Sequence, residues 1–116
     1  MQREEAIALL AAAWLACAGA LVVRSVQRGR ALADALAARH PEKYEALGRP
    51  RPSYFDSVRR GRFERFVMRC EYLVLDDPAL VEEFERHRRS EVRLLVGLLS
   101  GLAAVSLLIL WLKYAA

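Results

Sequence analysis

Two stretches of the chain carry no formal charge at all, Ala6 to Val23 and Leu94 to Leu112, of 18 and 19 residues. As helices rising about 1.5 Å per residue, each would be roughly 27 to 29 Å long, close to the ~30 Å hydrocarbon core of a bilayer. Neither run has a clear stop signal at its inner end. A small and apolar stripe continues from Val22 through Val26, Gly29, Ala33 and Leu36, in steps of four and three residues, until Pro41 ends it. Working back from Leu94, the next breaker is Pro78. Asp77 before it is suited to cap a helix, with proline at the first helical position and Glu82, Glu83 and Glu85 towards the positive end of the helix dipole. The pattern therefore predicts two long helices, one ending near Pro41 and the other running from Pro78 to about Tyr114.

Between them, Pro41 to Gly48 reads as a short helix opened by proline and closed by glycine, followed by the turn-prone Arg49-Pro50-Arg51-Pro52. The segment from Ser57 to Leu75 is the most amphipathic in the chain. It places Phe63, Phe66, Val67, Cys70, Leu73 and Val74 on one helical face, with Arg59, Arg62, Arg65 and Arg69 towards the other. The expected architecture is an all-α membrane hairpin. It has an external tail over 1–5, a transmembrane helix over 6–23, a cytoplasmic helical region over 24–93, a second transmembrane helix over 94–112 and an external tail over 113–116.

Charge sets the expected orientation. Of 18 basic and 14 acidic residues in the 116-residue chain, 16 and 12 fall between the two apolar runs. Arg24, Arg28, Arg30, Arg39 and Lys43 flank the first run on its loop side, and Arg86, Arg88, Arg89 and Arg93 flank the second. Only Arg3 and Lys113 lie beyond. Basic residues are retained on the cytoplasmic side, so both termini are expected outside. Ala18-Gly19-Ala20 resembles a signal-peptidase site, but Met1 to Glu5 lacks the positive region that precedes a secretory signal. Trp14 likewise occupies a lipobox position before Cys17 that calls for a branched aliphatic residue. A retained anchor is the expected outcome.

Small residues recur at helical spacing in both runs. Ala8, Ala12, Ala16 and Ala20 repeat every four residues in the first, and Gly97 and Gly101, with Ser100 and Ala104 on the adjoining surface, lie in the second. Such spacing allows backbones to approach closely, as a hairpin seam or a dimer seam requires, although alanine and glycine are also common in membrane helices. Trp111, Lys113 and Tyr114 form an interfacial anchor.

The arginine stripe of the amphipathic segment admits several readings. It could be the solvated outer face of a helix covering the emerging parts of the long helices. It could instead rest on the inner leaflet, with Phe63 and Phe66 dipped into the interface and the arginines on anionic headgroups, or contact a protein partner. A nucleic-acid role has only an electrostatic footprint and no recognition module.

The search for chemistry returns no catalytic, cofactor-binding or metal site. His40 and His87 have no companion cysteine or carboxylate pattern; His40 belongs to a helix end and His87 to a charged helix face. Asp76 and Asp77 could form a carboxylate pair, but Asp77 is explained by helix capping and Asp76 by the end of the preceding segment. Glu82 to Arg86 and Glu85 to Arg89 can pair at four-residue spacing. Neither apolar run holds an ionisable acid or base suited to a proton or ion path.

Phe84-Glu85-Arg86-His87-Arg88-Arg89, followed by a glycine-bearing helix rich in leucine and valine, resembles the universal stress protein B family of small two-helix membrane proteins. Arg30-Ala31-Leu32 with Pro41 and Tyr44 is similar to that family's early loop. The stretch from His40 to Pro50 is similar to a loop of other bacterial two-helix proteins. The resemblance implies a bacterial inner-membrane location and a link to stress or stationary-phase physiology, and it supplies no catalytic residues. Pro50 to Arg69 departs most from the family pattern. The expected partners are the lipid bilayer, anionic lipid, and a membrane protein or a second copy of the chain. The alternative is a small accessory or assembly subunit of a larger respiratory or photosynthetic complex.

Overall fold

The computed structural model describes residues 2–115 and contains four α-helices and one 3-10 helix, with no strand among the described residues. Helix α1 spans Arg3–Arg39, α2 Pro41–Ala46, α3 Ser57–Met68 and α4 Pro78–Tyr114, with the 3-10 helix Glu71–Val74 between the last two. This is an all-α hairpin of two 37-residue helices joined by a helical region. The chain divides into two compact units. One holds the chain up to Val23 and from Val92 onward; the other is Arg24–Glu91.

In the first unit, the apolar parts of α1 and α4 are each long and apolar enough to cross a membrane, and none of either apolar window is buried within the protein. The least exposed positions fall at helical spacing. They are Ala6, Ile7, Leu10, Ala11, Trp14 and Ala18 on α1, and Leu94, Leu98, Gly101, Val105, Ile109 and Leu112 on α4. That spacing describes one narrow seam on each helix. A Cβ added to Gly101 would lie 2.8 Å from Trp14 Nε1, so the indole occupies space that only glycine leaves. Near the termini, Arg3 donates to the carbonyl of Lys113 at 3.4 Å.

The second unit closes its own core. Ala33 and Leu36 of α1, Tyr44 of α2, Phe63, Phe66 and Val67 of α3, Tyr72 and Leu75 around the 3-10 helix, and Leu80 and Phe84 of α4 form one buried cluster. Three rings make its centre. Phe66 meets Phe84 edge-on at 5.1 Å and Tyr72 at 6.2 Å, while Tyr72 and Phe84 stack at 5.7 Å. These are the offset and edge-to-face geometries favoured by the ring quadrupole.

Local chemistry explains the boundaries. Asp77 Oδ1 accepts the Leu80 N–H at 3.3 Å and opens α4 at Pro78. Asp56 likewise caps α3, accepting the Arg59 N–H at 3.1 Å. Helix α2 ends where Gly48 and then Arg49 take positive φ, 83° and 56°. The amphipathic segment expected as one helix from Ser57 to Leu75 stops at Met68. Cys70 adopts the left-handed conformation, φ 55°, and the chain re-enters as a 3-10 helix. The turn changes the phase of burial. Leu73 and Val74, expected on the apolar face, are exposed, and Tyr72 and Leu75 take their place in the core.

Candidate functional site

The arginine stripe of α3 divides into two pairs. Arg59 donates through Nε to the Arg49 carbonyl at 3.0 Å and through a terminal nitrogen to the Tyr44 hydroxyl at 3.1 Å. Arg62 donates to the Gly48 carbonyl at 3.0 Å. These carbonyls are the ones that the left-handed turn after α2 leaves unused by the helix, and the two guanidinium groups satisfy them. Arg65 and Arg69 are exposed.

Phe63 and Phe66 are 5% and 1% exposed. Of the readings open for this segment, the one in which they dip into a lipid interface is therefore corrected: both rings are buried in the core, as in the reading of a helix with a solvated basic face. Phe63 fills a close contact with α1, where a Cβ on Gly29 would sit 3.1 Å from its Cε1 and 2.7 Å from Pro52 Cγ. The exposed apolar side chains of this unit are others, namely Tyr54, Phe55, Val58, Met68, Leu73 and Val74.

Of the eight small-residue candidates in the apolar runs, Gly101 lies on the hairpin seam beside Trp14. Ala8, Ala12, Ala16, Ala20, Gly97, Ser100 and Ala104 are exposed, and a Cβ added to Gly97 would meet nothing within 4 Å. Each alanine of the repeat lies one or two positions past a seam residue, Ile7, Ala11, Trp14 and Ala18 in turn, and so off the seam.

Two charged clusters bring together residues far apart in sequence. Asp77, 8% exposed, bonds Arg39 through both carboxylate oxygens at 2.8 and 2.6 Å, and its Oδ2 lies 3.1 Å from His40 Nε2. Burial pushes the Asp77 carboxyl up, but bonds from His40 and the Leu80 N–H, with the charge of Arg39, together bring it below the ordinary carboxylate value. Asp77 thus ties the end of α1 to the start of α4, and no carboxylate pair with Asp76, which is exposed, forms.

The second cluster surrounds His87, which is buried, correcting its expected place on a charged face. Its ring meets Phe63 edge-on at 5.9 Å, and its Nε2 is 3.5 Å from Glu91. Ser25 donates to Glu91, and Arg28 donates to Ser90 at 3.3 Å. Burial lowers the His87 pKa, Glu91 opposes that shift and Arg28 adds to it. A groove of about 380 Å³ beside it is lined by Arg28, Ala31, Leu32, Glu83, Arg86 and His87. The Tyr72 hydroxyl, donating to Glu85 at 3.0 Å and 3.6 Å from Cys70 Sγ, is held protonated by burial and these contacts.

These clusters join helices; none presents a nucleophile with a base, and among the described residues no three His, Cys, Asp or Glu side chains are grouped to hold a metal ion. Sequence spacing alone conceals the Arg39–His40–Asp77 tie, because its members are 37 and 38 residues apart. No family model matches the chain, and no curated protein or solved structure matches it either.

Proposed function

We propose that this chain is a non-enzymatic, multi-pass protein of the bacterial inner membrane, with both termini outside the cytoplasm, acting in stress physiology through protein or lipid contacts. The observation that carries the reading is the contrast between the two units. The apolar windows of α1 and α4 have no cover from the protein itself, whereas Arg24–Glu91 buries Tyr44, Phe63, Phe66, Tyr72 and Phe84 in a closed core of its own. A lipid environment would cover apolar surface of that extent, and hydrogen-bonded helices are a form in which a chain can enter one. The basic bias of residues 24–93 supports the orientation. The stress assignment rests on the resemblance of residues 84–89 and the following helix to universal stress protein B.

Cys70 tests the topology. In intact cells a membrane-impermeant thiol reagent should leave it unmodified, and it should react once the inner face is opened. Modification from outside sealed cells would overturn the orientation.

A second reading, an accessory subunit of a larger respiratory or photosynthetic complex, is favoured by the small residues that the hairpin leaves off its seam, Ala8, Ala12, Ala16 and Ala20 above all. A partner helix could approach that face closely. Mild-detergent purification at native abundance separates the two readings. A stoichiometric large partner favours the subunit; recovery only as a monomer or homo-oligomer counts against it.

A further inference from the structure

The loop between Pro52 and α3 exposes an aromatic pair while its own backbone is firmly held. Phe55 is 100% exposed, with Tyr54 at 49% and Val58, one helical turn on, at 59%. The loop is not slack. Pro50 and Pro52 are buried, Gly29 of α1 admits Pro52 to a distance that a Cβ would forbid, and Arg30 Nε donates to the Pro52 carbonyl at 3.2 Å. Ser53 Oγ accepts the N–H groups of Phe55 and Asp56 at 3.3 and 3.1 Å, which fixes the turn that presents the ring.

Two cations frame the pair. The Arg30 guanidinium lies 5.3 Å from the centre of the Tyr54 ring, and Arg60 donates to the Ser53 carbonyl at 3.3 Å. Both donate to backbone carbonyls, so neither charge is cancelled by a carboxylate. The neighbouring Arg51 differs, being paired with Asp34 at 2.8 Å. An exposed aromatic tip, flanked by guanidinium groups that no carboxylate neutralises, matches the chemistry of an anionic headgroup region.

We propose that Tyr54, Phe55 and Val58 form an interfacial wedge that enters the anionic leaflet beside α1, with Arg30 and Arg60 on lipid phosphates. The wedge rests on the membrane-spanning reading above, and it assigns the lipid contact to the loop before α3 instead of to the buried face of α3.

The test uses the full chain with Cys17→Ala and Cys70→Ser, carrying a nitroxide at Phe55→Cys, at Ala46→Cys as the aqueous reference, or at Leu107→Cys as the hydrocarbon reference. Each is reconstituted into vesicles of phosphatidylcholine alone or with an equal part of phosphatidylglycerol. Power-saturation EPR compares exposure to oxygen with exposure to a water-soluble nickel chelate. In anionic vesicles the label at 55 should read between the two references, and it should shift towards the aqueous value in neutral vesicles, in high salt, or with Arg60→Gln. An aqueous reading at 55 in anionic vesicles overturns the wedge while an apolar reading at 107 leaves the spanning helices standing. An aqueous reading at 107 overturns both. A label at 55 that is immobile and shielded from both reagents overturns the wedge in favour of a protein partner or a second copy, and equal insertion into both vesicle types overturns the role of the arginines.

Discussion

Replacing Phe84 by alanine removes the ring against which both Phe66 and Tyr72 pack. Phe84 is fully buried, meets Phe66 at 5.1 Å with planes at 83°, and stacks on Tyr72 at 5.7 Å with planes at 11°. Truncating a buried phenylalanine costs about 3 to 5 kcal/mol through lost burial and the cavity left behind. At roughly 1.4 kcal/mol per tenfold change, the opening equilibrium of the Arg24–Glu91 unit should rise by about two to three and a half orders of magnitude. The increase is capped where the unit's own stability is exhausted.

Hydrogen exchange followed by mass spectrometry on the full chain in detergent micelles reads this out in peptides covering α3 and the first turns of α4. Leu73→Ala, on an exposed side chain of the same unit, is the control and should leave exchange nearly unchanged. The double substitution Phe66→Ala with Phe84→Ala should cost less than the two single costs added together, because the pair shares an aromatic contact worth roughly 0.5 to 1.5 kcal/mol beyond area burial. An acceleration below about tenfold for Phe84→Ala, or strict additivity with Phe66→Ala, would refute the idea that one aromatic centre holds the unit together.

Gly101→Leu should weaken the hairpin by about 1 to 3 kcal/mol, since its Cβ would meet Trp14 Nε1 at 2.8 Å, whereas Gly97→Leu should be close to neutral in the same detergent-unfolding titration. Because burial lowers the His87 pKa, the native state favours neutral imidazole. Its contribution is complete above the ordinary value of about 6.5 and is lost as pH falls below that through the lowered folded value. The facing charges are Glu91 and, around the groove, Arg28, Glu83 and Arg86, and Phe63 of α3 meets the ring edge-on. Melting midpoints of the wild type should drop more than those of His87→Gln between about pH 7.5 and 5.5; parallel profiles would refute this account.

The helix starts and stops were legible at the prolines, with a capping side chain before Pro78 and none before Pro41. Asp77-Pro78 opens α4, Pro41 separates α1 from α2, and the stripe Gly29, Ala33, Leu36 is buried as its spacing predicts. The end of α3 was not legible, because Arg69 and Cys70 turn the chain without the glycine or asparagine that usually marks a left-handed residue. One residue of left-handed backbone then exchanged Leu73 and Val74 for Tyr72 and Leu75 in the core. His87 was obscured by composition. Arg86, Arg88 and Arg89 around it read as a solvated face, yet Leu80, Phe84 and His87, spaced by four and three, mark the inward one. The lipid-facing candidates failed for a related reason. Periodicity identifies an apolar face but does not say whether protein or bilayer covers it, and for Phe63 and Phe66 the answer is protein.

Chain connectivity gives the seam residue Gly101 a role in the stability of the other unit. Arg24–Glu91 is a small body with a small core, the size at which burial and conformational entropy nearly cancel and a further constraint decides the balance. Its two ends continue without interruption into α1 and α4. While Trp14 rests on Gly101, those helices remain paired, and an unfolded Arg24–Glu91 segment is a closed loop instead of a free chain. Closing a loop of this length removes unfolded-state entropy worth about 4 kcal/mol in the cross-link model, less whatever freedom the pairing leaves. The constraint acts on the unfolded state and requires no contact between Gly101 and the aromatic core. Gly101→Leu should therefore also accelerate exchange in α3, by less than Phe84→Ala does. A cysteine pair that cross-links α1 to α4 within the apolar runs should restore slow exchange in Gly101→Leu and leave Phe84→Ala still fast. Restoration of both, or of neither, would show that the seam does not act through closure.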